Sequence, residues 1–397
     1  MHEITIITQY FYPSVFASGQ LMTDLANGLS QRRYNVNVFT GSHSNESIPD
    51  YLINVKINRA FSPIQPNRSF LSKITSSVFF LLGAFFYIIF NQHRNTTLLI
   101  VSNPPYAGIL GIFFRIFKGG NYDFLLQDIF PESAVIIGIM HPKGILFKFF
   151  DSLIYLTCKY SRNTIVLTHS MAAFLAKKYA SSSQKIKVIE NWAIVDIPVY
   201  EKQDNKFAQQ YNLTETFTVL YSGNLGRLHD IETIAEAAKL LKDAPIKFVF
   251  IGHGAKIQVL ESAIVAGQLK NILLLPYQPR ELLPLSLTAC DVSLVSLIPC
   301  AESIVAPSKL YGMLAAGRAI VALSSQNSYI DQLLVTYKCG INSPPHNPQH
   351  LANIVLELST NSLLVKQMGE RARQLYESKY TFKRALDDYE KLLFSDS

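Results

Sequence analysis

Short apolar runs of strand length alternate with amphipathic stretches along the chain. In the first half these runs lie at residues 4–10, 36–41, 97–105, 124–131, 164–170 and 185–191. Between the first two, Leu21, Leu25 and Leu29 recur at helical spacing within residues 19–34, which indicates an amphipathic helix. Strands that alternate with helices predict parallel sheets joined by helical crossovers.

The alternation starts again in the second half. Strand-like runs lie at residues 217–226, 246–254, 271–277, 291–297, 319–323 and 339–343, with helical segments at 230–244 and 255–267. Two successive series predict an α/β fold of two Rossmann-like, doubly wound parallel-sheet domains, over residues 1–198 and 199–380. Ligands of such sheets bind beyond the carboxyl ends of the strands. We therefore expect the functional residues directly after the strands.

Composition narrows the class of protein. A length of 397 residues agrees with two domains. Only 16% of the residues are charged, which is typical of a folded chain. The four cysteines form no C-x-x-C pair, so we expect neither a zinc site nor a disulfide framework. Widely spaced free cysteines are typical of the reducing cytoplasm, and we therefore expect a cytoplasmic protein. The first residues read directly as a strand, so no secretory signal peptide is expected.

The net charge of +7 lies entirely in the first half. Residues 1–198 hold 17 Lys and Arg against 10 Asp and Glu, whereas residues 199–397 hold 19 of each. A basic domain suits nucleic acid, an anionic membrane or a phosphorylated substrate. No RNP-like, zinc-finger or helix-turn-helix pattern accompanies this charge, so we do not expect nucleic acid as a partner.

The most apolar segment lies in the same half. Residues 74–93 contain no Lys, Arg, Asp or Glu, and residues 78–90 are apolar around nearly the whole circumference of a helix. Three interpretations are open: a membrane-spanning helix, a buried core helix, and a helix dipped into one leaflet with Lys73 and Arg94 at the head groups. The third is favoured, because a span separates residues 1–70 from the strands they should pair with.

Two glycine turns follow strands of the second domain and precede helices, where backbone N–H groups commonly bind phosphate. The first turn holds Gly223, Asn224, Gly226 and Arg227, and the second holds Gly252 and Gly254. Neither is a G-x-G-x-x-G motif, which disfavours a dehydrogenase. His229 and His253, close to these turns, are expected to be solvent-exposed loop residues.

A third segment adds charged candidates. Pro307 suits the first position of a short helix that precedes a buried strand at 319–323. Lys309 is unexpected in the first turn of that helix, because the helix dipole disfavours a cation there. Together with Arg227 and Glu302 it predicts a pocket for a diphosphate, with a carboxylate for hydroxyl groups. We take these three residues as catalytic candidates.

These motifs resemble the GT-B glycosyltransferases of family 4 over nearly the whole chain. The matching segments of the second half are YSGNLGRLHDIETIAEA, FIGHGAK, LPYQPRELLPLSLTACDVSLVSL and PSKLYGMLAAGRAI, and those of the first half include SNPPYAGILG, LQDIFPESAVIIG and VIENWAIVD. The chain is most similar to the branch that builds capsule, colanic-acid and O-antigen repeat units. The resemblance implies an acceptor domain, a nucleotide-sugar domain facing it across a cleft, and a C-terminal helix, residues 381–397, that crosses back to the first domain. A simple solvated end helix is the alternative.

The resemblance further implies retaining transfer of a sugar from a UDP- or GDP-sugar, with no metal or other cofactor because protein cations neutralise the diphosphate. Besides the glycine turns, it places Tyr277 and Ser308 at the donor. It places Ser18, Gly19 and Gln127 at the acceptor cleft.

Two further positions qualify this resemblance. Asp128 is the candidate for orienting the acceptor hydroxyl, and an ordinary turn aspartate before Pro131 is the alternative. The acid that holds the donor ribose in many members falls on Gly312 here, so the ribose contact is not accounted for.

The basic first half and the apolar segment 74–90 predict a lipid-linked acceptor at the inner face of the cell membrane. Two rival functions stay open. A nucleotide-sugar epimerase shares the two-domain fold but needs no membrane contact. A non-catalytic nucleotide-sugar-binding subunit agrees with the missing acid at Gly312.

Overall fold

The computed structural model describes residues 2–14, 16–41, 52, 54–61 and 70–394, without the side chains of residues 70, 71 and 73, so the prediction for Lys73 lies outside the described residues. The chain forms two compact units. The first comprises Met1–Ile194, Ile304–Ala306 and Lys383–Ser397, and the second comprises Val195–Ser303 and Pro307–Phe382. The boundary thus falls after Ile194, compared with the predicted 198.

The first unit is built on a parallel sheet. Its elements are β1 (Glu3–Thr8), α1 (Ala17–Gln31), β2 (Asn35–Thr40), β3 (Val55–Arg59), α2 (Phe70–Asn91), β4 (Thr97–Val101), α3 (Ile109–Lys118), β5 (Tyr122–Leu126), α4 (Glu132–Ile136), α5 (Ile145–Tyr160), β6 (Thr164–Val166), α6 (His169–Lys178) and β7 (Ile186–Val188). In the described residues the strand order is β3-β2-β1-β4-β5-β6-β7, and every pair is parallel. The central strands are buried on both faces, which is why they read as continuous apolar runs.

Strand β3 is absent from the sequence prediction. Among the described residues it lies at the edge of the sheet and pairs only with β2. Only Val55 of this strand is buried, whereas its other residues are partly or fully exposed. An edge strand that buries so little needs no apolar run, so periodicity gives no signal for it.

Helix α2 buries one side and exposes the other. Phe80, Ala84 and Ile88 are buried, and the helix packs against β2 and α3. Leu82, Phe86 and Phe90 are 52%, 54% and 76% exposed. By length and composition alone the helix is suited to cross a membrane. The interpretation as a fully buried core helix is wrong. The helix carries apolar side chains on every face, and one sheet surface can cover only one of these faces.

The second unit contains a second parallel sheet. Its elements are α7 (Lys206–Gln210), β8 (Phe217–Ser222), α8 (Ile231–Leu240), β9 (Ile246–Ile251), α9 (Ile257–Gly267), β10 (Ile272–Leu275), α10 (Leu283–Thr288), β11 (Val292–Ser296), α11 (Lys309–Ala315), β12 (Ala319–Leu323), α12 (Tyr329–Tyr337), β13 (Gly340–Ser343), α13 (Pro348–Thr360) and α14 (Ser362–Lys379). The strand order is β10-β9-β8-β11-β12-β13, again all parallel. The predicted fold class, two doubly wound parallel-sheet domains, is confirmed.

The last helix, α15 (Phe382–Phe394), packs within the first unit. Its buried residues include Tyr389 and Leu393. The ring of Phe394 stacks on Tyr34 with centroids 4.1 Å apart, and Arg32 forms ion pairs with Asp387 and Glu390. The apolar face and the charged face of this amphipathic helix are therefore both used.

Candidate active site

The two predicted glycine turns lie side by side at the carboxyl edge of the second sheet. Gly223 follows β8 with φ +132°, and Gly252 follows β9 with φ +135°, a region that L side chains rarely adopt. A Cβ on Gly252 would lie 2.2 Å from the Gly223 carbonyl oxygen, and one on Gly254 would lie 2.5 Å from that of Leu225. Glycine is therefore required where the two turns meet backbone to backbone.

The first turn presents free backbone donors. Among the described residues, the N–H groups of Gly226 and Arg227 have no protein acceptor. The amide of Asn224 lies against both turns, since its Oδ1 would be 2.6 Å from a Cβ on Gly254. Unpaired N–H groups at the end of a parallel strand are suited to bind an anion.

Lys309 reaches the same turn from α11. Its Nζ donates to the Tyr221 hydroxyl, lies 3.4 Å from the Asn224 carbonyl oxygen, and is 4.0 Å from the centroid of the Tyr221 ring. In the described part of the chain no carboxylate forms an ion pair with it. Burial lowers the pKa of this ammonium to about 7.

The surroundings of Lys309 differ from the prediction. The helix begins at Lys309 with Ser308 as its N-cap, so Pro307 precedes the helix. The helix has only seven residues, and the lysine points to the end of β8 instead of following its own helix axis. Tertiary contacts with Tyr221 and Asn224 therefore hold this cation, and the dipole of a short helix is a minor influence.

His229 belongs to this cluster, so its prediction as a solvent-exposed loop residue is wrong. Its ring is half-buried, with Nδ1 2.5 Å from the Ser296 carbonyl oxygen and Nε2 3.5 Å from Lys309 Nζ. Burial, with a contribution from the Lys309 charge, lowers the pKa of His229 to about 3. By contrast, His253 is exposed, as predicted.

Sequence reasoning also missed Tyr221. This residue lies inside the apolar run of β8 and is fully buried. Its hydroxyl donates to the Asn224 carbonyl oxygen at 3.0 Å and accepts from Lys309. The only signal in the sequence was a tyrosine directly before the glycine turn, which is equally typical of a core strand.

Three other predicted donor-side residues are Tyr277, Ser308 and Arg227. The Tyr277 hydroxyl donates to the His253 carbonyl oxygen at 3.1 Å, and its ring lies 3.2 Å from where a Cβ on Gly252 would be. Ser308 makes no side-chain cap hydrogen bond. Arg227 is exposed, without an ion pair or side-chain hydrogen bond among the described residues. It is thus available to solvent or a ligand.

Glu302 lies at the carboxyl edge near β12. Its Oε1 accepts a hydrogen bond from the Ser325 backbone N–H. Burial, opposed by this hydrogen bond, raises the pKa of the carboxyl above its usual value. A partly desolvated carboxylate at this edge is suited to accept hydrogen bonds from hydroxyl groups.

At Gly312 an added Cβ would lie 3.4 Å from Leu287 Cδ1, and in the described residues no acidic atom is among its nearest neighbours.

The predicted acceptor-side residues belong to the first unit. Gly19 lies in α1, where a Cβ would be 2.8 Å from Ser14 Cβ, and the neighbouring Ser18 is half-buried. The Gln127 side chain accepts a hydrogen bond from Asn103 Nδ2. Asp128 forms an antiparallel bridge with Val305.

Asp128 follows β5 and is exposed. Partial desolvation by the surrounding protein raises the pKa of its carboxyl to about 6. It makes no side-chain hydrogen bond among the described residues, so it does not act as a turn or helix cap. A carboxyl with this pKa is suited to exchange a proton or a hydrogen bond near neutral pH.

Comparisons with known proteins agree with this architecture. Residues 202–375 match the family "Glycosyl transferases group 1". The chain is 25% identical over 292 residues, 72% of each chain, to the probable glycosyltransferase WbjE of Pseudomonas aeruginosa. It is 34% identical over 119 residues, 30% of this chain and 29% of the relative, to the putative colanic acid biosynthesis glycosyl transferase WcaI of Escherichia coli K12. The structure of HepE of Anabaena in complex with UDP-glucose matches at a TM-score of 0.74 and 15% identity over 100% of both chains.

Proposed function

We propose that the protein is a retaining, metal-independent glycosyltransferase, because residues 202–375 match the group 1 glycosyltransferase family and the chain shares its fold with the UDP-glucose complex of HepE. It transfers a sugar from a UDP- or GDP-sugar to a lipid-linked glycan in cell-surface polysaccharide biosynthesis. The main support for this proposal is the Lys309 ammonium. It lies beside a glycine turn with free N–H donors and has no carboxylate partner in the described residues. The UDP-glucose bound by HepE and the name of WcaI support the donor class and the pathway.

In this proposal the donor diphosphate binds at the first glycine turn. Lys309 and the N–H groups of Gly226 and Arg227 face the phosphate oxygens, and Glu302 binds hydroxyl groups of the sugar. As the glycosidic bond breaks, negative charge grows on the diphosphate, and donors fixed in advance stabilise it. Protein cations supply this stabilisation, so no metal ion or other cofactor is required.

Retention follows most simply from attack on the same face that the diphosphate leaves. The acceptor hydroxyl is oriented by Asp128, and its proton passes to a departing phosphate oxygen. Double displacement instead needs a carboxylate on the opposite face of the sugar. Trapping a covalent glycosyl–enzyme adduct during turnover contradicts the front-face route.

The lipid-linked acceptor is supported by the exposed face of α2. Its apolar residues continue onto α3, where Ile116 and Phe117 are exposed and Phe117 contacts Phe85 of α2. The basic side chains of Arg94, which follows α2, and of Arg115 on α3 are exposed in the same unit. An exposed apolar helix face in a basic domain is suited to the anionic inner surface of a cell membrane. This supports a peripheral position of the protein on the cytoplasmic side.

Donor screening tests the function directly. UDP- and GDP-sugars are compared by thermal shift, since a ligand of the native state raises Tm by mass action. We expect one nucleotide class to stabilise the protein, without loss of the effect in EDTA. The matching donor is then incubated with membrane lipid extract, and the anomeric configuration of the product is determined by NMR. Release of a free epimerised sugar nucleotide favours an epimerase, and binding without turnover on any extract favours a non-catalytic subunit.

A further inference from the structure

The hydrogen bonds of His229 fix its protonation state. A carbonyl oxygen only accepts, so the 2.5 Å contact with Ser296 requires the proton on Nδ1. In the neutral ring Nε2 is then an acceptor, and it faces Lys309 Nζ at 3.5 Å. In a protonated ring an N–H group would point at the ammonium instead. The arrangement therefore suits only neutral His229.

The backbone around His229 is held at several points. Ser296 also accepts, through its Oγ, from the Asp230 backbone N–H at 2.8 Å. Lys256 donates to the His229 carbonyl oxygen at 2.7 Å. Asp230 caps α8 by accepting from Thr233, which anchors the segment to the helix. The backbone that carries His229 is thus anchored, and the contact of Nδ1 with the Ser296 carbonyl oxygen orients the ring.

The groups that face Lys309 are neutral acceptors. They are Tyr221 from β8 and, from the following turn, the Asn224 carbonyl oxygen and His229. Lys256 contacts the His229 carbonyl oxygen, and its charge is paired with Glu232 at 2.7 Å. Tyr221 donates its own proton to Asn224, so its lone pairs face the ammonium. The cation is contacted by three neutral groups and, within the part of the chain that the structure describes, has no counter-ion until an anion binds.

We propose that His229 is a positioning residue: as the neutral Nδ1–H tautomer it accepts from Lys309 and aims the ammonium at the donor diphosphate, and diphosphate binding draws one proton from solvent onto Lys309. The proton is released when the nucleoside diphosphate leaves. The proposal rests on the proposed function, because it assumes that a nucleotide sugar is the anion.

The low pKa values of Lys309 and His229, caused mainly by burial, agree with this assignment. An incoming diphosphate supplies the missing counter-ion and raises the pKa of Lys309. The free protein therefore loses the Lys309 charge as pH rises above about 7, whereas the complex keeps it.

Isothermal titration calorimetry measures this proton. UDP-glucose, or GDP-mannose if only the guanine nucleotide stabilises the protein, is titrated at pH 6 and pH 8 in two buffers of different ionisation enthalpy. We expect close to one proton taken up per donor at pH 8 and much less at pH 6. Lys309→Met should abolish the uptake, and Lys242→Met, at an exposed lysine of the same unit, should leave it intact. Wild-type binding at pH 8 without proton uptake overturns the proposal.

Variants at His229 separate positioning from folding. His229→Leu removes the acceptor, and we expect about tenfold lower kcat with little change in KM. The high-pH limb of the kcat/KM profile should shift to lower pH, because the charged lysine has lost a partner. His229→Gln can donate to Ser296 and accept from Lys309, so we expect recovery to within about threefold. Equal loss in both variants with unshifted pH profiles overturns a positioning role.

The tautomer is tested without any ligand. In the full-length protein labelled with ¹⁵N-histidine, the His229 resonance is the one missing from His229→Gln. We expect the Nδ1–H tautomer and no titration between pH 5 and 8. An Nε2–H tautomer or an ordinary titration disproves the proposal, even if the variants fold poorly. If neither nucleotide sugar binds, the proposed function fails while this measurement still decides the state of His229.

Discussion

At the scale of the residue, the defining feature is a lysine that neutral groups hold in place. A half-buried ammonium without a counter-ion is unfavourable in the free protein and favourable once an anion arrives. Such a residue contributes to function at the expense of stability. Activity and stability should therefore respond to its removal in opposite directions.

We predict that Lys309→Met lowers kcat/KM by about 10²–10³, the scale for removal of one fixed charge-stabilising donor. The loss should fall mainly on kcat, because the negative charge of the diphosphate is larger in the transition state than in the bound donor. Initial rates with the matched donor and acceptor measure it. Lys242→Met is the control, and near-normal turnover by Lys309→Met shows that the ammonium does not contact the leaving group.

The stability effect of the same change depends on pH. The pKa of Lys309 is about 7 in the folded protein, below the value of about 10.4 expected in the unfolded chain. Between these values the unfolded state binds more protons, so wild-type stability rises with pH. We predict that Lys309→Met is more stable than the wild type below pH 7, and that this difference shrinks as pH rises toward 10. Urea unfolding at pH 6 and 9 measures it; a difference that grows with pH contradicts the low pKa.

At the scale of the element, the two glycine turns form one unit. We predict that Gly252→Ala destabilises the protein by more than the roughly 1–3 kcal/mol of backbone strain, because its Cβ also meets the Gly223 carbonyl oxygen. It should also abolish the rise in Tm caused by the donor. Gly138→Ala is the control, since Gly138 has φ +75° but open space around its Cβ. A normal donor response in Gly252→Ala shows that the turns are not part of the donor site.

Helix α2 carries the second prediction at this scale. Changing Leu82, Phe86 and Phe90 together to Ser should release the protein from anionic vesicles, because each exposed apolar side chain contributes about 1.5–3 kcal/mol when it leaves water. Vesicle flotation with and without anionic lipid measures it. The matched control replaces three exposed apolar residues of the second unit, Val265, Val335 and Leu363. Unchanged flotation of the α2 variant rules out this face as the membrane contact.

At the scale of the whole molecule, each unit is built from segments that are not continuous in sequence. Ile304–Ala306 and Lys383–Ser397 belong to the first unit, although the residues before them belong to the second. The short segment pairs with the strand end that carries Asp128, and the last helix buries Tyr389 beside Trp192. The first unit is therefore incomplete without the end of the chain.

We predict that ending the chain after Thr381 destabilises the first unit by several kcal/mol, since it removes the buried Tyr389 and Leu393. Trp192, the only tryptophan and 2% exposed, reports on this directly. Its emission should shift to the red, and its unfolding midpoint should fall. Arg32→Ala, which removes only partly exposed ion pairs, should cost about 1 kcal/mol or less and leave the emission unchanged. A truncated chain with wild-type emission contradicts the docking of α15.

The sequence by itself determined the strands that are buried on both faces, because such strands must be continuous apolar runs. Residues 319–323 were predicted as a strand and form β12 with the same bounds. The glycine turns were equally predictable, because a sharp turn after a strand demands the conformational freedom of glycine at Gly223 and Gly252. The edge strand β3 was not predictable, because a strand that buries only one residue leaves no hydrophobic pattern in the sequence.

Only the tertiary structure decided the roles of single side chains and the exposed face of α2. Tyr221 and His229 meet Lys309 across 88 and 80 residues of sequence, a distance over which no local pattern carries information. The sequence therefore ranked His229 with exposed loop residues. It predicted Lys309 near the glycine turn but not its contacts with Tyr221 and His229. Helix α2 is apolar around its circumference, so its composition did not specify which side meets the sheet. Packing against β2 and α3 fixed that choice, because a sheet can cover only one face of a helix and leaves the other to solvent or lipid.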